Sequence, residues 1–379
     1  MNDIITQLNK MNISKKSYVY FEEIILERIK ELKQCFTEWD ILYSIKSNPN
    51  INIINCCYQN GLGFDVATIN ELDLILNNHE NALIQYSCPG KTIDNLKKAM
   101  LSDCILVIDS IGEFEKINKL LSTLKPICRF GIRLNVGDRN ERIVESMVGE
   151  ESHFGIQLSE LDEIISSGSD LLPLSHVHVY SGSQILDVDA IYDDFSTIAH
   201  VILKIIKKYN FVVKSVSFGG GFGVPYTATE NKVDLMRLKK LIDSDLYINK
   251  LKEYNVRMCV ESGRYIVAES GYFIANVCDV KYRYGKQIVV LDGLMNSFFR
   301  PIFLNTFHNL YAMKKGTAHL SKVVGNTCTP LDTLPYLVYL PKVKAGDQIV
   351  FENAGAYGYT MTPLSFIAGE EVEEIYVKK

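Results

Sequence analysis

Short apolar runs rich in β-branched and aromatic residues recur between residues 41 and 264. They are 41–46 (ILYSIK), 63–67 (GFDVA), 82–88 (ALIQYSC), 104–110 (CILVIDS), 127–134 (ICRFGIRL), 175–181 (SHVHVYS), 215–220 (SVSFGG) and 257–264 (RMCVESGR). Between most of them the period lengthens to that of an amphipathic helix, as in INELDLILNN, TIDNLKKAM and IGEFEKINKLLSTL. Eight strands alternating with helices predict an α/β fold, a parallel (β/α)8 barrel of the TIM type.

After residue 270 the pattern changes. YFIANVCDVKYRYGKQIVVLDG and KAGDQIVFENAGAY read as long strands, with turns at Tyr284-Gly285 and Ala345-Gly346-Asp347. This predicts a barrel over residues 23–274 and a C-terminal β-rich domain over 275–379. The short strand SYVYF (17–21), within residues 1–22, is expected to join the second domain.

Polar residues fall where the strands end. Lys46, Asp65, the Tyr180–Ser183 stretch, Gly219-Gly220-Gly221 and Glu261–Arg264 sit at or just past C-terminal strand ends, the rim on which such a barrel builds its site. Taken singly, each also reads as a capping or loop residue. Lys46, between an apolar run and Ser47-Asn48-Pro49-Asn50, reads either as an ion-paired or snorkelling side chain or as an amine for a carbonyl cofactor. FGGGFG (218–223) reads as a tight turn or as a phosphate cradle, since three glycines let N–H groups approach an anion. ESGR (261–264) is a local ion pair, or a site in which Glu261 meets a protonated ring nitrogen while Gly263 and Arg264 hold phosphate. Cys328, in the turn-like GNTCTPLDTL, is an inert thiol or a proton donor or nucleophile. Tyr357 lies in the glycine-rich AGAYGYTM, exposed or packed at a domain junction.

Composition narrows the class. The 379 residues suffice for two domains, or for one barrel with a smaller partner. Apolar residues make up 47% and charged residues 22%, as in a globular protein. The net charge of -5, with no basic block, argues against nucleic acid as the main partner. MNDIITQLNKMNISKK has no signal-peptide core, and no run approaches a membrane span. Nine scattered cysteines without a Cys-x-x-Cys pair predict free thiols in a reducing cytoplasm, no disulfide frame and no metal site.

In this order the segments resemble the fold-type III pyridoxal-phosphate decarboxylases, the family of diaminopimelate and ornithine decarboxylases, related to alanine racemase. The resemblance runs from SYVYF to AGAYGYTMTPLSF and implies an alanine racemase-like fold with pyridoxal 5'-phosphate as cofactor. YSIKSN is similar to the family's lysine motif, which implies Lys46 as the Schiff-base lysine. GFDVATINEL matches its Asp-bearing second strand, implying Asp65 near the cofactor. YSCPGKT and VIDSIGEFEKI are similar to its third and fourth strand regions. SHFGI (152–156) resembles a motif beside the fifth, with His153 where Lys is usual. FGGGFG and ESGR resemble the phosphate and ring-nitrogen motifs. Gly219, Gly220, Gly221, Gly263, Arg264 and Glu261 are thereby implied as cofactor ligands, with Ser262 in place of the usual Pro. LMNSFFRP (294–301) is similar to the segment carrying a substrate arginine, here Arg300. CTPLD holds Cys328, Thr329 and Asp332, the cysteine being one that the family supplies across a dimer interface, and Thr329 and Asp332 being expected to bind substrate. AGAY holds Tyr357, expected near cofactor and substrate.

Two departures bear on function. The family reads His-x-His-x-Gly-Ser-Gln at the sixth strand, with the second His stacked on the cofactor. Here His178 keeps the first place, Tyr180 takes the stacking place, and Ser183 follows in the same cofactor-binding run. A tyrosine ring stacks, but carries no positive charge near neutral pH. Relatives that act on diamino substrates place an acidic residue directly after the cysteine, for the distal ammonium; here it is Thr329.

The resemblance therefore implies a decarboxylase in which Lys46 holds the cofactor, Glu261 keeps its ring nitrogen protonated and Cys328 of the partner subunit protonates the α-carbon. A glutamate favours decarboxylation, since related racemases place an arginine there. Arg300 and Thr329 point to an amino acid or derivative without a free distal amine, small or carrier-protein-bound, as in siderophore and other secondary-metabolite assembly. The alternatives are diaminopimelate decarboxylation, an amino-acid racemase, and an inactive homologue that regulates a partner. Retention of Lys46, Glu261 and Cys328 argues against the last. A homodimer with shared sites is expected, with neither nucleic acid nor membrane as partner.

Overall fold

The eight apolar runs fold as parallel strands, because helical segments between successive runs return the chain across the sheet. A computed structural model describes residues 2–136, 142, 143, 145–166 and 174–379. After β1 (Ser17–Phe21) come β2 (Asp40–Ser44), β3 (Gly63–Val66), β4 (Ile84–Tyr86), β5 (Ile105–Ile108), β6 (Arg129–Asn135), β7 (Leu174–His178), β8 (Ser215–Ser217) and β9 (Arg257–Ser262). From β2 onward each pairs in parallel with the next, and β9 pairs with β2, closing the barrel. Leu42, Phe64, Tyr86, Leu106, Ile132, Val177, Val216 and Val260 are buried, one from each strand.

Helices start where hydroxyl side chains cap them. Thr68, Thr92 and Ser110 accept from the N–H groups of Glu71, Asn95 and Glu113 at the starts of helices Ile69–Asn78, Ile93–Met100 and Ile111–Leu121. The strands are shorter than the apolar runs. β8 stops at Ser217 rather than reaching Gly220, because Gly219 takes a φ of +65° and leaves the extended region. β2 stops at Ser44, and Lys46 lies past the strand in a 3₁₀ turn, Ile45–Ser47, instead of at the strand tip. There Ser47 Oγ donates to the Ser44 carbonyl at 2.8 Å and the Asn48 N–H to that of Ile45.

The chain divides into two compact units. The barrel unit comprises Arg28–Val224 and Lys232–Gly263. The other, Met1–Glu27, Pro225–Asn231 and Arg264–Lys379, is mostly sheet. Its strands are β1, β10 (Gly271–Arg283), β11 (Lys286–Leu291), β12 (Leu310–Ala312), β13 (Ala318–Val324), β14 (Val338–Pro341), β15 (Gln348–Phe351) and β16 (Glu373–Val377). They run β12-β15-β10-β11-β13-β14, and β1 pairs antiparallel with β10 and parallel with β16. Tyr284 and Gly285, both at positive φ, turn β10 into β11 where the sequence places a turn. Among the described residues no helix is long and apolar enough to cross a membrane.

One buried ion pair stands out in the barrel wall. Lys91 Nζ donates to the carbonyls of Cys88 and Val107 and to Glu113 Oε2 at 2.9 Å, with side-chain exposures of 0% and 3%. Lys91→Met leaves that carboxylate buried without its cation, with only the N–H groups of Lys91 and Asp109 donating to it among the described residues. It is expected to lower stability by about 3–5 kcal/mol, measured by urea unfolding.

Candidate active site

The 3₁₀ turn after β2 lifts Lys46 out of the strand, so its side chain keeps 37% of its exposure while its partner Asp65, on β3, keeps 2%. Nζ lies 3.0 Å from Asp65 Oδ2 and 5.6 Å from the centre of the Tyr180 ring, past the end of β7. The structure thus brings three sequence candidates together: an accessible amine, a buried carboxylate and an aromatic ring.

Glu261 is the second centre. Its side chain is 2% exposed on β9. Oε1 accepts from Gln85 Nε2 and from Ser217 Oγ, each at 2.7 Å, and His178 Nε2 stands 2.9 Å away without its ring N–H aligned on the oxygen. Oε2 accepts no hydrogen bond among the described residues. Burial pushes this carboxyl up, but His178, then Lys46 and Ser217, outweigh burial and hold it well below the usual carboxylate range. His178 has its other ring nitrogen 3.2 Å from Ser87 Oγ, so both nitrogens face protein groups.

The glycine run after β8 packs against backbone. A Cβ on Gly220 would overlap the carbonyl oxygen of Glu261, and one on Gly221, at φ +76°, that of Gly182. The N–H groups of Gly220 and Gly221 meet no acceptor among the described residues. That leaves two donors on a loop without side chains. At Gly263 a Cβ would press on Ser47, beside Lys46. Ser183 lies in a two-residue strand, Gly182–Ser183, paired with Glu145–Ser146.

The remaining candidates lie in the β-rich unit. Arg264 and Arg300 are both buried. The Arg264 guanidinium sits 5.1 Å from the Tyr357 ring centre and 6.0 Å from that of Tyr226, and that of Arg300 at 5.9 and 5.2 Å. Arg264 also donates to the Tyr226 hydroxyl at 3.1 Å. Cys328 is exposed on the turn after β13, with Thr329 beside it. Asp332 is buried beneath that turn: Oδ1 accepts the Met295 N–H at 2.8 Å, and Oδ2 accepts the Thr327 hydroxyl at 2.6 Å and its N–H at 3.1 Å. Its carboxylate is thus engaged in shaping the turn that carries Cys328.

Sequence reasoning passed over Gln85, Ser217, His176, Tyr226 and His308. Gln85 and Ser217 were signalled weakly, as polar residues inside strand-forming apolar runs. His308 is buried between aromatic rings, Tyr226 at 4.9 Å and Phe298 at 4.8 Å. Burial, reinforced by Arg300 and Arg264, pushes it down to about 3, so it stays neutral. His153 is exposed, its ring 3.8 Å from that of Phe154, over which the Arg133 guanidinium sits at 4.5 Å.

Comparison with known proteins identifies the chemistry. The pyridoxal binding domain of the pyridoxal-dependent decarboxylases matches residues 22–268. Diaminopimelate decarboxylase of Campylobacter jejuni is 28% identical over 361 residues, 93% of this chain and 88% of that one. The L-glutamyl-[BtrI acyl-carrier protein] decarboxylase of Niallia circulans is 28% identical over 383 residues, 96% and 88% of the two chains. The crystal structure of Helicobacter pylori diaminopimelate decarboxylase complexed with L-lysine superposes with a TM-score of 0.87 at 25% identity, covering 98% of this chain and 94% of that one.

Gly221→Ala combines a strained φ with a carbonyl clash and is expected to cost about 1–3 kcal/mol or more in urea unfolding. Gly112→Ala is the control. It lies in a helix, where the new Cβ meets only Ser110 Oγ at 4.0 Å, and should be neutral or stabilising by up to about 1 kcal/mol.

Proposed function

The chain belongs to the pyridoxal-dependent decarboxylase family, and from that premise we propose that it removes the α-carboxyl group of an amino-acid derivative lacking a free distal amine. It is a decarboxylase that takes pyridoxal 5'-phosphate. When bound, that cofactor supplies the electron sink for the pair released as CO₂ leaves. The barrel's donor set fits it. Lys46 offers an accessible amine for the aldehyde, Gly219–Gly221 an N–H-lined, side-chain-free loop for a phosphate, and Glu261 an open Oε2 for a protonated ring nitrogen. Asp65 keeps the Lys46 amine in place and Tyr180 offers a face for the ring, while Ser183 and Gly263 keep the cofactor roles that the family resemblance gives them. Arg264 and Tyr357 keep the cofactor roles that the family resemblance gives them. Cys328 of the partner subunit delivers the proton to the α-carbon, which makes a homodimer the active unit.

Thr329 carries the substrate reading. It stands where a diamino-acid enzyme would hold a carboxylate, and Asp332, the nearest acid on that turn, has both oxygens engaged. Arg300 supplies a cation for a distal carboxylate or carbonyl. The Niallia circulans relative, named for a carrier-bound glutamyl substrate, supports a carrier- or amide-linked substrate and with it a place in secondary metabolism. A second reading, diaminopimelate, is favoured by the Campylobacter jejuni relative. That substrate also has a distal carboxylate for Arg300, but Thr329 leaves its distal ammonium without a charged partner.

Borohydride reduction of the purified protein followed by peptide mapping should place the pyridoxyl group on Lys46; label on another lysine would displace the assignment. Substrate preference is the second test. An ammonium without its carboxylate loses a charge-assisted hydrogen bond of about 1.5–3 kcal/mol, roughly one to two decades in rate. CO₂ release from ornithine, lysine and diaminopimelate should therefore trail that from distal amides, carboxylates or carrier-linked aminoacyl groups. Thr329→Asp should narrow the gap. Faster turnover of diaminopimelate than of every amide- or carrier-linked compound would establish the second reading instead.

A further inference from the structure

We propose that His178 is a positioning residue which, with Gln85 and Ser217, fixes the Glu261 carboxylate through one oxygen and leaves the other for the cofactor's ring nitrogen. The inference rests on the cofactor reading above and concerns this chain's own groups. Proton bookkeeping decides the donors. A carboxylate only accepts, so Gln85 presents its amide NH₂ to Oε1 and its carbonyl to His176 Nε2, 3.0 Å away. His176 Nε2 must then carry the proton, and its Nδ1 accepts from the Ser215 hydroxyl at 2.8 Å. Burial, aided by His178 and Arg129, pushes His176 down to about 3, which keeps it in this neutral form. The hydroxyl of Ser217 can only donate to Glu261. At 2.9 Å from an accept-only oxygen, Nε2 of His178 must also be protonated, since a lone pair there would repel the carboxylate.

Gln85 and Ser217 therefore donate to Oε1, protonated Nε2 of His178 stands beside it, and the chain Ser215–His176–Gln85 enforces the direction of the Gln85 bond. The titratable neighbours of Glu261 are His178 and His176 on β7, Lys46 after β2 with its partner Asp65 on β3, and Cys259 on β9 itself. Among them His178 lowers the carboxyl most. Tyr180 takes the stacking place, and His178, at the first histidine place, serves the carboxylate. Without His178, burial acts on Glu261 less opposed. The carboxyl then protonates at higher pH and no longer accepts from a protonated ring nitrogen.

The test uses the loaded enzyme with two readouts, cofactor affinity by equilibrium dialysis and the pH profile of kcat. His178→Leu should weaken pyridoxal phosphate binding and lower kcat by about ten- to hundredfold, with KM little changed, and should shift the acid limb of the profile upward by about a unit or more. His178→Gln, which keeps a donor, should recover part of each. In a Glu261→Gln background the same substitution should add almost nothing to the loss of cofactor affinity. An equal loss of affinity in both backgrounds, or an unmoved acid limb, overturns the role of His178. If His178→Leu does not fold, Gln85→Leu and Ser217→Ala carry the same comparison. Failure of the unmodified protein to take up pyridoxal phosphate would overturn the cofactor reading instead.

Discussion

An ionised carboxylate with 2% exposure, inside a barrel whose walls are Leu, Ile, Val and Phe, has to be compensated from within the fold. Glu261 meets this demand through residues from three other strands: Gln85 on β4, His178 on β7 and Ser217 on β8. None is its sequence neighbour; Gln85 is 176 residues away. β8 adjoins β9 and β7 adjoins β8, while closure of the barrel brings β4 within reach of β9, so this buried charge and the topology of the sheet depend on each other. A sheet that failed to close would expose Glu261 to water and release it to an ordinary carboxylate's behaviour.

The groups at the rim follow from the same closure by a different route. Lys46 keeps its amine accessible because β2 ends two residues before it, in a turn locked by Ser47. The glycines after β8 lie against the carbonyls of Glu261 and Gly182, at distances no side chain tolerates. Here a loop without side chains is a packing requirement and, at once, a source of free N–H donors.

The β-rich unit solves a different electrostatic problem. Arg264 and Arg300 are buried near each other, on the faces of Tyr226 and Tyr357, and the histidine beside them is held neutral. Asp332 is engaged by Met295 and Thr327 in the turn that carries Cys328 and Thr329. An acid fully engaged by backbone and hydroxyl donors is a poor receptor for an ammonium ion.

The periodicity of the chain determined the eight barrel strands, the Tyr284-Gly285 turn between long strands, and the positions of Lys46, Asp65, the glycine run and Glu261 near strand ends. Those features are local: a strand is legible from its apolar run, a tight turn from its glycine, a rim residue from where the run stops. The tertiary structure alone decided which polar groups meet. It ended β2 before Lys46, turned His178 toward Glu261 and Ser87, engaged Asp332 in its own turn, and brought Gln85 and Ser217 to a carboxylate on a distant strand. Hydrogen-bond partners across a barrel are set by strand order and register, and neither is written in the spacing of residues along one strand.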